Sequence, residues 1–83
     1  MKEKEKEKEK EKFEKNAKKI LDKIVERRKR LGFSQMDLAI KLNMSFSGYF
    51  KVETGKTKLD TIRLFEIIDA LETSPEGFFK NFK

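Results

Sequence analysis

The chain contains neither cysteine nor histidine. The first absence excludes disulfides and thiolate metal sites, and the second removes the commonest general base and metal ligand. No glycine-rich loop is arranged to cradle phosphate, and no carboxylate pair falls where the pattern would bury it. Asp37, Asp60, Glu66 and Asp69 lie at expected caps or solvent faces. These absences point away from an enzyme, and no metal or cofactor is expected. Apolar runs are only a few residues long, so no membrane span is expected. The N-terminus lacks the apolar segment of a signal peptide, which makes a cytoplasmic location the expectation. Eighty-three residues suffice for one small domain, which a helical core can hold together with little margin.

Charge is abundant: 43% of residues are charged, and the net charge is +6. Its placement is uneven. Residues 1–12 hold six Lys against five Glu, and residues 13–31 hold eight basic against three acidic side chains. Residues 32–83 hold seven of each and are neutral. The basic balance favours an anionic partner, but the excess precedes the segment most suited to reading one.

Residues 1–12 form a Lys/Glu low-complexity tail, separate from a domain expected over residues 13–83. Strict alternation sets unlike charges at i,i+3 but like charges at i,i+4, so the two effects largely cancel. With nothing apolar to bury, the tail reads as a solvated segment or a frayed helical extension. A partner-binding arm is the competing reading. From Phe13 the pattern becomes amphipathic, with Phe13, Ala17, Ile20, Ile24 and Leu31 on one face, widened by Leu21 and Val25. A helix over about Glu14 to Leu31 follows, stopped by Gly32. Its closing run Arg27-Arg28-Lys29-Arg30 reads equally as a dipole-stabilising helix end or as a phosphate-contacting patch.

Two short helices are then expected around a tight turn. Ser34 caps Gln35 to Leu42, whose apolar stripe is Leu38, Ala39 and Leu42, and Phe33 is placed to pack as a hydrophobic staple. Asn43-Met44 interrupts. Ser45 caps a second helix to about Glu53, with Tyr49 and Val52 inward and Gly55 as a left-handed stop. This outline, about residues 34–54, is that of a helix-turn-helix. A basic loop, Lys56-Thr57-Lys58-Leu59, leads to a fourth helix capped by Asp60 or Thr61 and running to about Leu71. That helix carries Ile62, Leu64, Phe65, Ile67, Ile68 and Leu71, apolar on more than one face. Ser74-Pro75-Glu76 starts a last helix reaching about Phe82. Five helices and no strand are expected.

The order and spacing of Leu31-Gly32-Phe33-Ser34-Gln35, Leu38-Ala39, Met44-Ser45, Lys51-Val52-Glu53 and Gly55-Lys56 resemble the lambda-repressor-like, Cro/C1-type helix-turn-helix domains of the XRE family. Ala70-Leu71 and Ser74-Pro75 fit its closing helices, so the resemblance covers roughly residues 20–80. It implies a compact, all-α, five-helix DNA-binding domain with a charged, helical or disordered N-terminal extension. It also implies a salt bridge between Arg28 and Glu53, and phosphate contacts from Gln35 and Lys56. Ser45, Lys41 and Lys58 join the phosphate set by position.

The base-contacting positions depart from the family pattern. Relatives usually present Gln, Arg or Asn there; this chain has Phe46, Ser47 and Phe50, with Lys51 a turn later. Three readings stay open for the phenylalanines: contact with thymine methyls in T-rich DNA, packing against another protein, or Phe46 folding back onto the core. The expected function is a sequence-specific DNA-binding regulator, a repressor, acting as a homodimer on double-stranded DNA. Phe78, Phe79 and Phe82, with the excess apolar surface of the fourth helix, are the candidate dimer surface. The alternative is a protein-interaction or antitoxin-like module on the same fold, engaging a second protein through Phe46 and Phe50.

Overall fold

The computed structural model describes residues 2–82, with side chains from Glu9 onward. It consists of α1 (Lys2–Arg30), α2 (Gln35–Lys41), α3 (Phe46–Glu53), α4 (Thr61–Ala70) and α5 (Pro75–Phe78), with no strand among the described residues.

Helix α1 begins well before Glu14. Lys and Glu are both good helix formers, and no glycine or proline interrupts the chain before Gly32, so propensity carries the helix through the alternating segment. Exposed pairs Lys18–Asp22 (3.3 Å) and Glu26–Arg30 (2.6 Å) add a few tenths of a kcal/mol each, by order of magnitude. At a rise of 1.5 Å per residue the helix is about 43 Å long, close to the 47 Å long axis of the molecule. Only its C-terminal half meets the core. Ile24 is fully buried and Ile20 and Leu21 pack beside it, whereas Phe13 is 65% exposed and Ala17 is exposed. The amphipathic face is therefore longer than the body that covers it.

Each shorter helix starts at a residue whose side chain accepts a free backbone N–H: Ser34, Ser45, Asp60 and Ser74. At α2 the arrangement is reciprocal. The Asp37 N–H donates to Ser34 Oγ (2.9 Å), and the Ser34 N–H donates to Asp37 Oδ2 (2.8 Å). That backbone hydrogen bond holds the Asp37 carboxyl below the usual range. Between α2 and α3 the chain reverses at Asn43, whose φ of 55° lies in the left-handed region that Asn tolerates better than most residues. Gly55, at φ 80°, ends α3.

The core joins all five helices through Ile24, Leu38, Ala39, Tyr49, Val52, Ile67, Ile68, Leu71 and Phe78. Helix α5 is a single turn rather than the longer helix expected to Phe82. Phe79 closes it, and Asn81 enters the left-handed region at φ 63°. Phe78 is 4% exposed, so its ring is committed to the interior and is withdrawn from any dimer surface. Phe79 packs edge-on against it at 5.0 Å, and Phe82 against Phe79 at 5.5 Å. Both of those rings are half-buried.

Candidate nucleic-acid interface

The frame that holds α2 and α3 is ionic. Arg28 of α1 meets Glu53 of α3 in a two-pronged contact, Nε to Oε2 at 3.0 Å and Nη2 to Oε1 at 2.8 Å. Its remaining Nη1 donates to the Phe33 carbonyl at 2.8 Å. Both residues are 7% exposed. Such a planar fork is the strong form of the pair, because two parallel hydrogen bonds fix its geometry. Burial alone would push the Glu53 carboxyl upward. Hydrogen bonding and charge from Arg28, with polar help from Tyr49 and Gln35, outweigh it and hold the group below the usual range. The Arg28 guanidinium is correspondingly raised, chiefly by its hydrogen bond to Glu53. The Tyr49 hydroxyl is buried beside them without a well-formed hydrogen bond, and burial pushes its ionisation upward.

The basic run that closes α1 divides by function. Arg27 Nε donates to the Leu71 carbonyl at 2.7 Å and its Nη2 to the Glu72 carbonyl at 3.0 Å, supplying donors at the C-terminal end of α4. Arg28 is in the buried pair, and Arg30 binds Glu26. Three of the four cations are thus engaged in architecture, which turns the balanced reading of this run toward structure. Nothing in the composition distinguishes Arg27 from its neighbours; its role depends on where α4 ends in space.

Gln35, at the first position of α2, donates from Nε2 to Glu53 Oε1 at 3.2 Å. One amide therefore extends the Arg28–Glu53 network to α2, and its second N–H remains for another acceptor. Ser45 Oγ accepts from the Gly48 N–H at 3.0 Å, leaving the hydroxyl proton to donate. A Cβ at position 48 would meet that Oγ at 3.0 Å, so glycine there gives the cap its room. Ser45→Ala is expected to cost about 1 kcal/mol through loss of the cap, measured as a lower midpoint in urea unfolding.

The outer face of α3 is formed by Phe46, Ser47, Phe50, Lys51 and Thr54, while Tyr49, Val52 and Glu53 point inward. Phe46 is 45% exposed and stacks on half-buried Phe50, with ring centroids 6.1 Å apart and planes inclined by 26°. Neither ring joins the core, which removes the reading in which Phe46 folds back. The Thr54 hydroxyl donates to the Phe50 carbonyl at 2.7 Å. Ser47 and Lys51 are exposed and supply the other polar groups of this face.

The remaining lysines have different surroundings. The Thr57 N–H donates to the Lys51 carbonyl at 3.0 Å, folding the loop back on α3, and the Lys56 ammonium lies 5.7 Å from the centre of the Phe50 ring. Lys58 lines an open depression with Glu9, Lys10, Phe13, Glu14 and Ala17 of α1. Lys41 rests 4.7 Å from the centre of the Phe33 ring and borders an open groove of about 520 Å³ with Glu66, Asp69 and Glu72. Those carboxylates make its neighbourhood acidic.

A helix-turn-helix family model matches residues 24–78, which takes in both helices, the turn, the buried pair and the closing helices. The chain belongs to the Cro/C1-type helix-turn-helix (XRE) family. No curated protein matches the chain. No solved structure matches it either. Family membership makes the chain a DNA-binding helix-turn-helix domain of regulatory type. Among the described residues no helix is long and apolar enough to cross a membrane.

Proposed function

We propose that this helix-turn-helix domain is a sequence-specific transcriptional repressor of the cytoplasm that lays α3 in the major groove of double-stranded DNA. The observation that carries the reading is the outer face of α3, which holds no carboxylate because its one acid, Glu53, turns inward to Arg28. Phe46, Ser47 and Phe50 then meet base edges, and Lys51, a turn later, is moved from the base-contacting set to the phosphate edge of the groove. Phosphate contacts come from Lys51, Lys56 and Lys58, from the second amide N–H of Gln35 and from the Ser45 hydroxyl. Lys41, set among carboxylates, is the weakest of the phosphate candidates.

The domain acts as a homodimer on a near-palindromic site, with half-sites about one turn of DNA apart. Burial of Phe78 shifts the centre of the dimer surface to α4, where Ile62 is 76% and Phe65 49% exposed. Phe79 and Phe82 contribute from the edge. Repression by occupancy needs no chemistry beyond binding.

Selection of bound duplexes from a random pool tests this. The expected result is an enriched, two-fold symmetric motif. Failure to enrich any sequence would instead favour the protein-interaction reading, for which the exposed Phe46–Phe50 stack is the specific support.

A further inference from the structure

We infer that α3 is a reader of the 5-methyl group of pyrimidines, so that it responds to thymine and to 5-methylcytosine through the same two rings. The inference rests on the major-groove reading and specifies the base chemistry of that site. Base edges in the major groove are told apart by hydrogen-bond donors and acceptors, together with one apolar group, the C5 methyl of thymine. The outer face of α3 has no amide, guanidinium or carboxylate with which to make a paired hydrogen bond. Thr54 has already committed its hydroxyl proton to the Phe50 carbonyl. What remains is the Ser47 hydroxyl, the Lys51 ammonium and a pair of stacked phenyl rings.

The rings are well placed for a methyl group. Phe46 occupies the first residue of α3, the end from which a recognition helix reaches base edges. Phe50 stands one turn behind it at a centroid distance of 6.1 Å, so the two present one continuous apolar surface. Lys51 on the same face and the Lys56 ammonium 5.7 Å from the Phe50 ring put positive charge around that surface. An oily patch rimmed by cations is complementary to a base methyl flanked by phosphates. Cytosine methylated at C5 carries its methyl at the same place on the ring as thymine. The chemistry therefore makes no distinction between them at the methyl itself.

The experiment uses the duplex recovered by selection with the full chain. Each thymine is replaced by deoxyuridine, which removes the methyl and leaves every hydrogen-bonding group in place. Binding is expected to weaken about fourfold for each methyl that lies against the rings, and thymines elsewhere in the site are expected to be neutral. At the sensitive positions, exchange of the T·A pair for 5-methylcytosine·G is expected to bind about fourfold more tightly than exchange for unmethylated C·G. Phe46→Ala together with Phe50→Ala is expected to abolish both discriminations, with retained helicity by circular dichroism showing that the variant is folded. Salt-dependent duplex binding without any deoxyuridine effect would overturn the inference and leave the major-groove reading standing. Absence of duplex binding would overturn both.

Discussion

Arg28→Ala is expected to lower the unfolding free energy by about 3–5 kcal/mol, read as a large fall in the urea midpoint at unchanged slope. The substitution leaves the Glu53 carboxylate buried with Gln35 as its one remaining well-formed hydrogen-bond donor, and it strips the Phe33 carbonyl of its side-chain donor. A small domain typically has only about 5–15 kcal/mol in hand, so the loss is a large share of the whole. Glu53→Gln is expected to be milder, because the amide oxygen still accepts one hydrogen bond from Arg28 and partly offsets the cost of a buried cation without its counter-charge. Replacing both partners, Arg28→Met with Glu53→Leu, is expected to cost less than Arg28→Ala alone, since no unpaired charge remains inside. If the double variant is as unstable as Arg28→Ala, the pair supplies net attraction and not merely mutual neutralisation.

The same pair sets a pH dependence with a definite sign. The Glu53 carboxyl titrates lower in the folded chain than in the unfolded one. Its contribution to stability is therefore fully present above the ordinary glutamate range. That contribution is lost as pH falls through the depressed folded value. Urea midpoints measured from neutral pH downward should fall in the wild-type chain across that acid window. In Glu53→Gln the fall should be shallower, leaving what the other carboxylates cause. Arg28 titrates far above this range and adds nothing to the slope there.

How legible a residue is in the sequence depends on the reach of its contacts. The caps at Ser34, Ser45 and Ser74 act within four residues of themselves, so local chemistry is enough to place the starts of α2, α3 and α5. Asp60 settles the start of α4 for the same reason. The Arg28–Glu53 contact spans 25 positions, and only the family resemblance points to it. Arg27 reaches 44 positions to the Leu71 carbonyl, a backbone atom that leaves no side-chain signature. For the Lys/Glu tail the composition leaves a solvated segment and a helical extension both open, and α1, running from Lys2, takes the second. Periodicity marks which face is apolar, but whether Phe13 is covered depends on how far the other helices reach along α1. Helix α5 stops after one turn at Phe79, and Asn81 then enters the left-handed region at φ 63°, a backbone turn that the spacing of Phe78, Phe79 and Phe82 does not reveal.

Lys51→Ala with Lys56→Ala is expected to flatten the salt dependence of DNA binding by nearly two in log–log slope and to weaken binding about 30-fold at 0.15 M salt, at about 0.9 released counterions per phosphate contact. Lys51 is exposed on the outer face of α3. Lys56 is held beside that face by the hydrogen bond from Thr57 to the Lys51 carbonyl and by the Phe50 ring. Lys41→Ala is the informative comparison. It removes the same charge from the rim of an open groove that Glu66, Asp69 and Glu72 also line, away from the outer face of α3. Its slope should match the wild type within error, although net charge falls by one. If Lys41→Ala flattened the slope as much per residue as the double variant does, net charge alone would govern binding. The orientation proposed for α3 would then lose its electrostatic support. A clear separation between the two would place the phosphates along the Lys51–Lys56 edge and leave the Phe46–Phe50 stack facing the bases between them.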